Sequence, residues 1–440
     1  MTKVSRTKRP DVVAVLDRLK GFQRAAVDVA FNRLYTSSDG SKRFLIADEV
    51  GLGKTLIARG IAAKAIDHMW EDVERIDVIY ICSNLSIARQ NLERLQLGEP
   101  TPVDRLTMLP LTAGSLTGSD GKPNKLNFFA FTPATSFDHG SHLGAARERL
   151  LIYHMMQNIW WVGGSGPKNL LQGTVQRKQN WRERICNFPK DDISKDLQKA
   201  FARTLESADE TERMNGGCGI RARWEEACSD FRYYKKRWPD SLKVRRGKLV
   251  AELRRLLAKS CIGALEPDLV ILDEFQRFKH LLDTENVGPA AELAQELFGW
   301  QGEKEGEAAR VLLLSATPYK MYTLAHEAEE DDHYEDFLRT VEFLQSDAVQ
   351  TDELRADLAL FRRETLRFGQ SGENILPELR GRIERSLRRV MSRTERTLPG
   401  QGGDGMLQAV AMPNVSLQKN DLVDYLGLQR VARAVERPNL

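Results

Sequence analysis

Between residues 48 and 55 the chain reads Asp48, Glu49, Val50, Gly51, Leu52, Gly53, Lys54, Thr55. An apolar stretch, Arg43 to Ala47, leads into it, and a stretch rich in Ala, Ile and Leu, Lys54 to Trp70, leaves it. Glycines in a strand-to-helix turn let main-chain N–H groups close on phosphate oxygens, and the opening helix adds partial positive charge. In that setting Lys54 reaches the β- and γ-phosphates of ATP, and the Thr55 hydroxyl sits on Mg²⁺. Glu49 through Thr55 are the candidate nucleotide-binding residues. The general pattern has Gly where this chain has Asp48.

A second constellation follows Pro267. Leu269 to Leu272 is an uninterrupted apolar run that ends in Asp273 and Glu274, with Gln276 two residues on. Ligands of open α/β sheets bind at the carboxyl ends of strands. There Asp273 suits a magnesium ion and Glu274 suits orienting and deprotonating an attacking water. A third apolar run, Val311 to Leu314, exits into Ser315, Ala316, Thr317 and Pro318. Hydroxyls at Ser315 and Thr317 are placed to sense those carboxylates and couple their state to neighbouring loops.

The elements that must position these groups are legible as an alternation. Strands are expected at 43–47, 76–82, 105–109, 126–131, 269–272 and 311–314. Helices are expected at 11–36, 54–70 and 86–95, then at 333–344, 352–368, 376–391 and 419–436. Near-continuous apolar strands alternating with helices predict an α/β fold, a parallel sheet covered on both faces. Between about 143 and 262 the alternation stops, and a helix-leaning basic stretch interrupts it. The expected division is therefore 1–142 and 263–345 as two parts of one lobe, 143–262 as a helical insertion, and 346–440 as a helical extension. The glycine-rich run 399–405 reads as a linker within that extension.

Composition excludes several classes. At 440 residues, 41% hydrophobic and 29% charged, the chain can bury sizeable cores and is no disordered tail. No run approaches the roughly 18 apolar residues of a membrane span, and the basic start has no apolar stretch behind it. Five cysteines without a Cys-x-x-Cys pair point to a reducing, cytoplasmic setting and away from structural zinc. His139 and His142 flank Gly140 without the acids or cysteines a metal pair needs. The net charge of +3 hides patterning. Arg221 to Lys259 carries 13 basic and 5 acidic side chains, whereas Glu327 to Asp336 carries seven acids and no Lys or Arg. Trp181, Trp224, Phe231, Tyr233, Tyr234 and Trp238 interleave with the basic stretch, a mixture suited to phosphates and bases or to a helical core. Lys235, Lys236 and Arg237 are the candidate nucleic-acid contacts there.

Taken together, the three blocks resemble the first ATPase lobe of superfamily 2 helicases, and residues 48–55 are most similar to the Swi/Snf-type branch, which tolerates Asp at the position of Asp48. The resemblance spans roughly 13–345 outside the insertion and reaches more faintly to about 397. It implies a RecA-like P-loop sheet, ATP and Mg²⁺ as cofactors, and a motor moving on nucleic acid, in particular double-stranded DNA. It makes Asp273 to Gln276 motif II and Ser315 to Thr317 motif III. Gln23, upstream of the loop in Gly21-Phe22-Gln23, becomes the reader of adenine. Cys82 to Asn91 falls at motif Ia, with Ser83 and Asn84 as donors to backbone phosphate, and Phe131 to Ser136 falls at motif Ib. Arg388 to Arg396 resembles the basic stretch by which such chains leave the lobe.

Two departures stand out. Gln276 replaces the His usual in Swi/Snf relatives, which alters the link between hydrolysis and movement. Nothing up to Leu440 resembles the second lobe, which supplies arginines to ATP in the family. The expectation is an ATP-binding lobe of a larger or split enzyme, weak alone, completed by a second lobe in cis or trans and by protein partners of a multi-subunit system. Phage defence, transcription recycling and repair are the settings the resemblance suggests. The alternative reading is a nucleotide-gated DNA- or protein-binding module with little motor activity.

Overall fold

The computed structural model describes residues 9–395 apart from 104, 118–122, 138–142, 176, 236, 283–287, 303–306, 316–332 and 367–374, together with Val423. The chain divides into Met1–Thr394, which holds every element below, and Glu395–Leu440. The expected helix over 419–436 apart from Val423, the run 399–405, His139, His142 and most of the acidic segment 327–336 thus lie outside the described residues.

Five apolar runs become strands: β1 (Arg43–Ile46), β2 (Ile76–Ile81), β3 (Leu126–Phe131), β4 (Leu269–Asp273) and β5 (Arg310–Leu314). A two-residue strand, β6 (Met391–Ser392), joins them in one all-parallel sheet of order β3-β2-β4-β5-β1-β6. This is the expected α/β architecture. The strands are apolar throughout because both faces are covered. Phe44 and Ile46 of β1 enter one core while Leu45 and Ala47 enter the other, and β2 divides likewise, with Val78 and Tyr80 against Ile79 and Ile81.

Helices Gly21–Phe31, Lys54–Met69 and Leu85–Leu95 cover the first face. Gly60 allows the first two to approach, since a Cβ there would meet Val27 at 2.7 Å. The helices of 143–262 cover the second. The 26-residue helix Asp240–Leu265 contributes Val250, Leu253, Leu257, Cys261 and Leu265 to the same core as Ile79, Val270 and Leu313. The inserted stretch therefore shares its core with the sheet. Helices His333–Gln345, Ala348–Leu366 and Leu376–Arg388 form the C-terminal helical region.

Three expectations are corrected. The strand foreseen at 105–109 is a 3₁₀ turn, Leu106–Met108, running into a short helix, Leu109–Thr112. Pro110 explains this, because it lacks the N–H a ladder needs but fits a first helical turn. The helix foreseen to 391 stops at Arg388, and the chain pairs with β1 as β6. The single helix over 11–36 is instead Val12–Asp17, Gly21–Phe31 and a π-helical turn, Asn32–Thr36.

Candidate functional site

Because every strand is parallel, all carboxyl ends share one rim. There β1 runs into the loop 47–53, β4 ends in Asp273 and Glu274, β5 ends at Ser315, and β2 runs into Ser83 and Asn84. Register ties the pieces together, since Leu314 of β5 lies opposite both Ile46 and Asp273. The Ser315 amide donates to the Ile46 carbonyl at 3.1 Å, and the Glu274 amide donates to the Leu314 carbonyl at 3.1 Å. One intervening strand sets loop and acids about two strand spacings apart, roughly 10 Å. That gap suits a terminal phosphate and a cation between them.

The loop has the backbone its glycines permit. Gly51 and Gly53 adopt φ of +84° and +83°, and Gly53 opens helix Lys54–Met69. A Cβ on Gly53 would also come within 2.6 Å of Gln23 Nε2. Gln23 is buried against the loop, donating from Nε2 to the Leu52 carbonyl (2.9 Å) and accepting at Oε1 from the Lys20 amide (2.9 Å). One N–H and one lone pair of its amide stay uncommitted to these bonds, so its chemistry still fits a base edge.

Lys54 donates its ammonium to the carbonyls of Asp48 (3.0 Å) and Glu49 (3.2 Å). Burial pushes its pKa down, while the charges of Asp48, Asp273 and Glu274 pull it back up. The two acids at the end of β4 are therefore near enough to act on this lysine. The Thr55 hydroxyl, in the first turn, has no hydrogen-bond partner among the described residues.

Asp48, the departure from the general pattern, has a visible occupation. It is fully buried, and its Oδ1 accepts from the Thr394 amide at 2.7 Å. The Ala47 amide donates to Ser392 (2.8 Å) and the Glu49 amide to Thr394 (3.2 Å), so the loop's entry is fastened to the segment after β6. Burial pushes the Asp48 carboxyl up, opposed by the Thr394 N–H and Lys54, and its Oδ2 is buried without a hydrogen-bond partner among the described residues.

Asp273 is held by two groups that sequence reasoning overlooked. Its Oδ2 accepts from the Tyr80 hydroxyl (2.6 Å) and from Asn91 Nδ2 (3.0 Å), which also reaches the Tyr80 oxygen (3.2 Å). Burial pushes the Tyr80 phenol well above its usual value, so it remains a donor. A signal existed: Asn91 is a polar residue on the buried stripe Ala88, Asn91, Leu92, Leu95 of an amphipathic helix. Glu274 carries φ +51° and ψ +42°, left-handed for a side-chain-bearing residue, and its carboxylate pairs with Arg277 at 2.9 Å. Such backbone costs of order 1–3 kcal/mol and gathers at functional sites. Gln276 has a buried Oε1 without a hydrogen-bond partner among the described residues.

The remaining candidates divide. Thr317 and Lys236 lie outside the described residues. The Asn84 carbonyl oxygen caps helix Leu85–Leu95, accepting from Ser86 and Ile87, so only its amide nitrogen is left to donate outward; Ser83 beside it is exposed. Lys235 and Arg237 are exposed on the loop before helix Asp240–Leu265, with Lys235 over the Trp238 ring at 5.6 Å. The aromatics expected to stack on bases are mostly core instead. Trp181, Trp224 and Phe231 are each 1% exposed, leaving Tyr233 and Tyr234 on the surface. Much of the basic run is also paired on folding, Arg223 with Glu212 and Glu252, Arg245 with Glu226 and Asp230, Arg255 with Glu292, and Lys259 with Glu296.

Among the described residues no three His, Cys, Asp or Glu converge on a metal position. Asp273 and Thr55 fit a cation that takes its other ligands from phosphate and water, as Mg²⁺ does. None of the described helices is long and apolar enough to cross a membrane. No family model, curated protein or solved structure matches the chain.

Proposed function

We propose that this chain binds Mg–ATP at the carboxyl rim of its sheet and is the first, RecA-like lobe of a superfamily 2, Swi/Snf-type DNA translocase. One observation carries the reading: Lys54 and the Asp273–Glu274 pair share a rim, bridged by β5, with charges that act on one another. Lys54 would exchange the Asp48 and Glu49 carbonyls for β- and γ-phosphate oxygens. The amides of 49–54 would cradle the same oxygens, and Gln23 would present its remaining N–H and lone pair to adenine. Thr55 and Asp273 would hold magnesium, which supplies charge neutralisation when bound. Glu274 would leave Arg277 to orient and deprotonate the attacking water. Ser315, bonded by main chain beside both groups, would relay their state. The resemblance further implies double-stranded DNA as track and arginines from a second lobe, in cis or trans.

The test is direct. Fluorescent ATP should bind residues 1–440 in the presence of Mg²⁺, and Lys54→Ala should abolish binding. Binding that ignores Lys54 sinks the reading. The Glu274–Arg277 pair favours a second reading, a nucleotide-gated binding module, because the hydrolytic base is engaged elsewhere. Duplex-stimulated phosphate release in the presence of the second lobe, lost with Glu274→Gln, would rule that module out.

A further inference from the structure

Away from the rim, the inserted helices bury more positive charge than they neutralise. Glu148 is fully buried and already shared, with Arg254 at 3.2 Å, Arg105 at 3.6 Å, Thr107 at 2.6 Å and the Ala145 amide at 2.7 Å. Its neighbour Arg149 is 2% exposed and has no carboxylate partner among the described residues. Arg149 donates Nε to Leu171, Nη1 to Leu143 and Gly144, and one Nη2 hydrogen to Gln172, all main-chain carbonyls. Four of five N–H groups are thus spent on fixing the guanidinium, and one on Nη2 is left. Burial pushes its pKa down to about 10, nearby Arg246 and Arg254 push the same way, and the charge of Glu148 opposes them.

Arg149 lines a pocket of about 380 Å³ together with Arg177, Asn180, Arg184 and Thr174. Among the described residues no Asp, Glu or aromatic side chain is in that lining. Asn180 and Arg184 are one turn apart on helix Lys178–Cys186, and Arg177 caps its start. Arg177 and Arg184 are exposed and have no ion pair among the described residues. A buried unpaired charge is costly, and guanidinium forks match tetrahedral oxyanions. No aromatic side chain among the described residues lines the pocket, Trp181 lying behind the Arg149 guanidinium at 5.9 Å, which disfavours a base.

We infer that Arg149, Arg177, Asn180 and Arg184 form a second anion site, separate from the phosphate loop, that takes one phosphate group. The group is either a nucleic-acid backbone phosphate or a free phosphate, and the site stands whether or not the loop hydrolyses ATP.

The experiment uses full chains carrying Lys54→Ala, so that the loop contributes nothing, with and without Arg177→Gln plus Arg184→Gln. Pyrophosphate is titrated calorimetrically, and a short labelled duplex is followed by anisotropy against salt. Removing two charge-assisted contacts should weaken pyrophosphate about tenfold or more. A parallel fall of about one in the duplex salt slope identifies backbone phosphate as the source. A weakened pyrophosphate titration with an unchanged duplex slope identifies free phosphate. Unchanged binding of both, with both chains folded by circular dichroism, overturns the site and leaves the loop reading untouched.

Discussion

The two ends of the sheet carry the same ingredients, two carboxylates and a cation, and use them differently. At the amino rim Asp77 is the second residue of β2 and Asp268 precedes β4, with Arg75 beside Asp77 at 3.1 Å. Asp77 is fully buried, accepts from Asn127 at 2.8 Å, and donates its amide to Asp268 at 2.8 Å. Burial pushes each carboxyl up to about 7, with Asp268 and Glu266 adding to this at Asp77, and Glu266 and Glu307 at Asp268. At the carboxyl rim Asp273 and Glu274 are half-buried, Glu274 stands on strained backbone, and Asp273 is oriented through one oxygen only. The amino-rim cluster is closed by those two hydrogen bonds and by the Arg75 ion pair on Asp77 Oδ2. The carboxyl-rim cluster is held in place yet left with lone pairs to offer. Residue type alone does not separate a structural acid pair from a candidate site; the strand end on which it falls does.

That contrast can be broken from either end. The largest effect belongs to Glu274→Gln, which should reduce phosphate release, in the presence of the second lobe and duplex, by about 10²–10⁴-fold while leaving nucleotide binding intact. Equal loss of binding would make Glu274 a structural residue. Tyr80→Phe removes the donor that orients Asp273 and should weaken magnesium-dependent nucleotide binding about 10–100-fold, read as a shifted Mg²⁺ titration with an almost unchanged melting curve. An unshifted titration would make the Tyr80 bond mere packing.

Asp48→Gly, which restores the general loop pattern, should destabilise the chain by about 1–3 kcal/mol in urea because it leaves the Thr394 amide without its acceptor. A stabilised variant would show that the buried Asp48 Oδ2 costs more than the bond contributes. The smallest effect lies at the amino rim. Asp77 and Asp268 hold protons in the folded chain at pH values where the unfolded chain has lost them. Their contribution is complete below about pH 4 and is lost as pH rises through about 7. Asp77→Asn should flatten that decline in a pH series of urea melts and leave nucleotide binding unchanged. An unaltered slope would assign the pH dependence elsewhere.

Much of the fold was legible because buried parallel strands are written as unbroken apolar runs. β3 matched residue for residue, and β1, β2, β4 and β5 matched to within one at either end. β6 was not legible: two residues, Met391 and Ser392, are too few for a period and became strand only because β1 offered an open edge. The loop and the acid pair were legible as types at a spacing, and Gln23 only through the resemblance. Tyr80, Asn91 and the Asp48–Thr394 bond were not, since their partners lie 193, 182 and 346 residues away in sequence. The aromatic residues of the insertion misled for a related reason: Trp and Phe between Arg and Lys read alike whether they face a ligand or a core.

By itself the amino-acid sequence determined that apolar strands would stack in parallel between helices and that Gly51 and Gly53 would free a turn before Lys54. Those properties are local, set by period, propensity and permitted φ. Tertiary structure alone decided that the turn and the acids share a rim, that Asp48 fastens the segment after β6, and that the Arg149 guanidinium is buried on main-chain carbonyls with no carboxylate bonded to it among the described residues. These depend on which distant segments meet, and solvation and hydrogen bonding are settled only once they do.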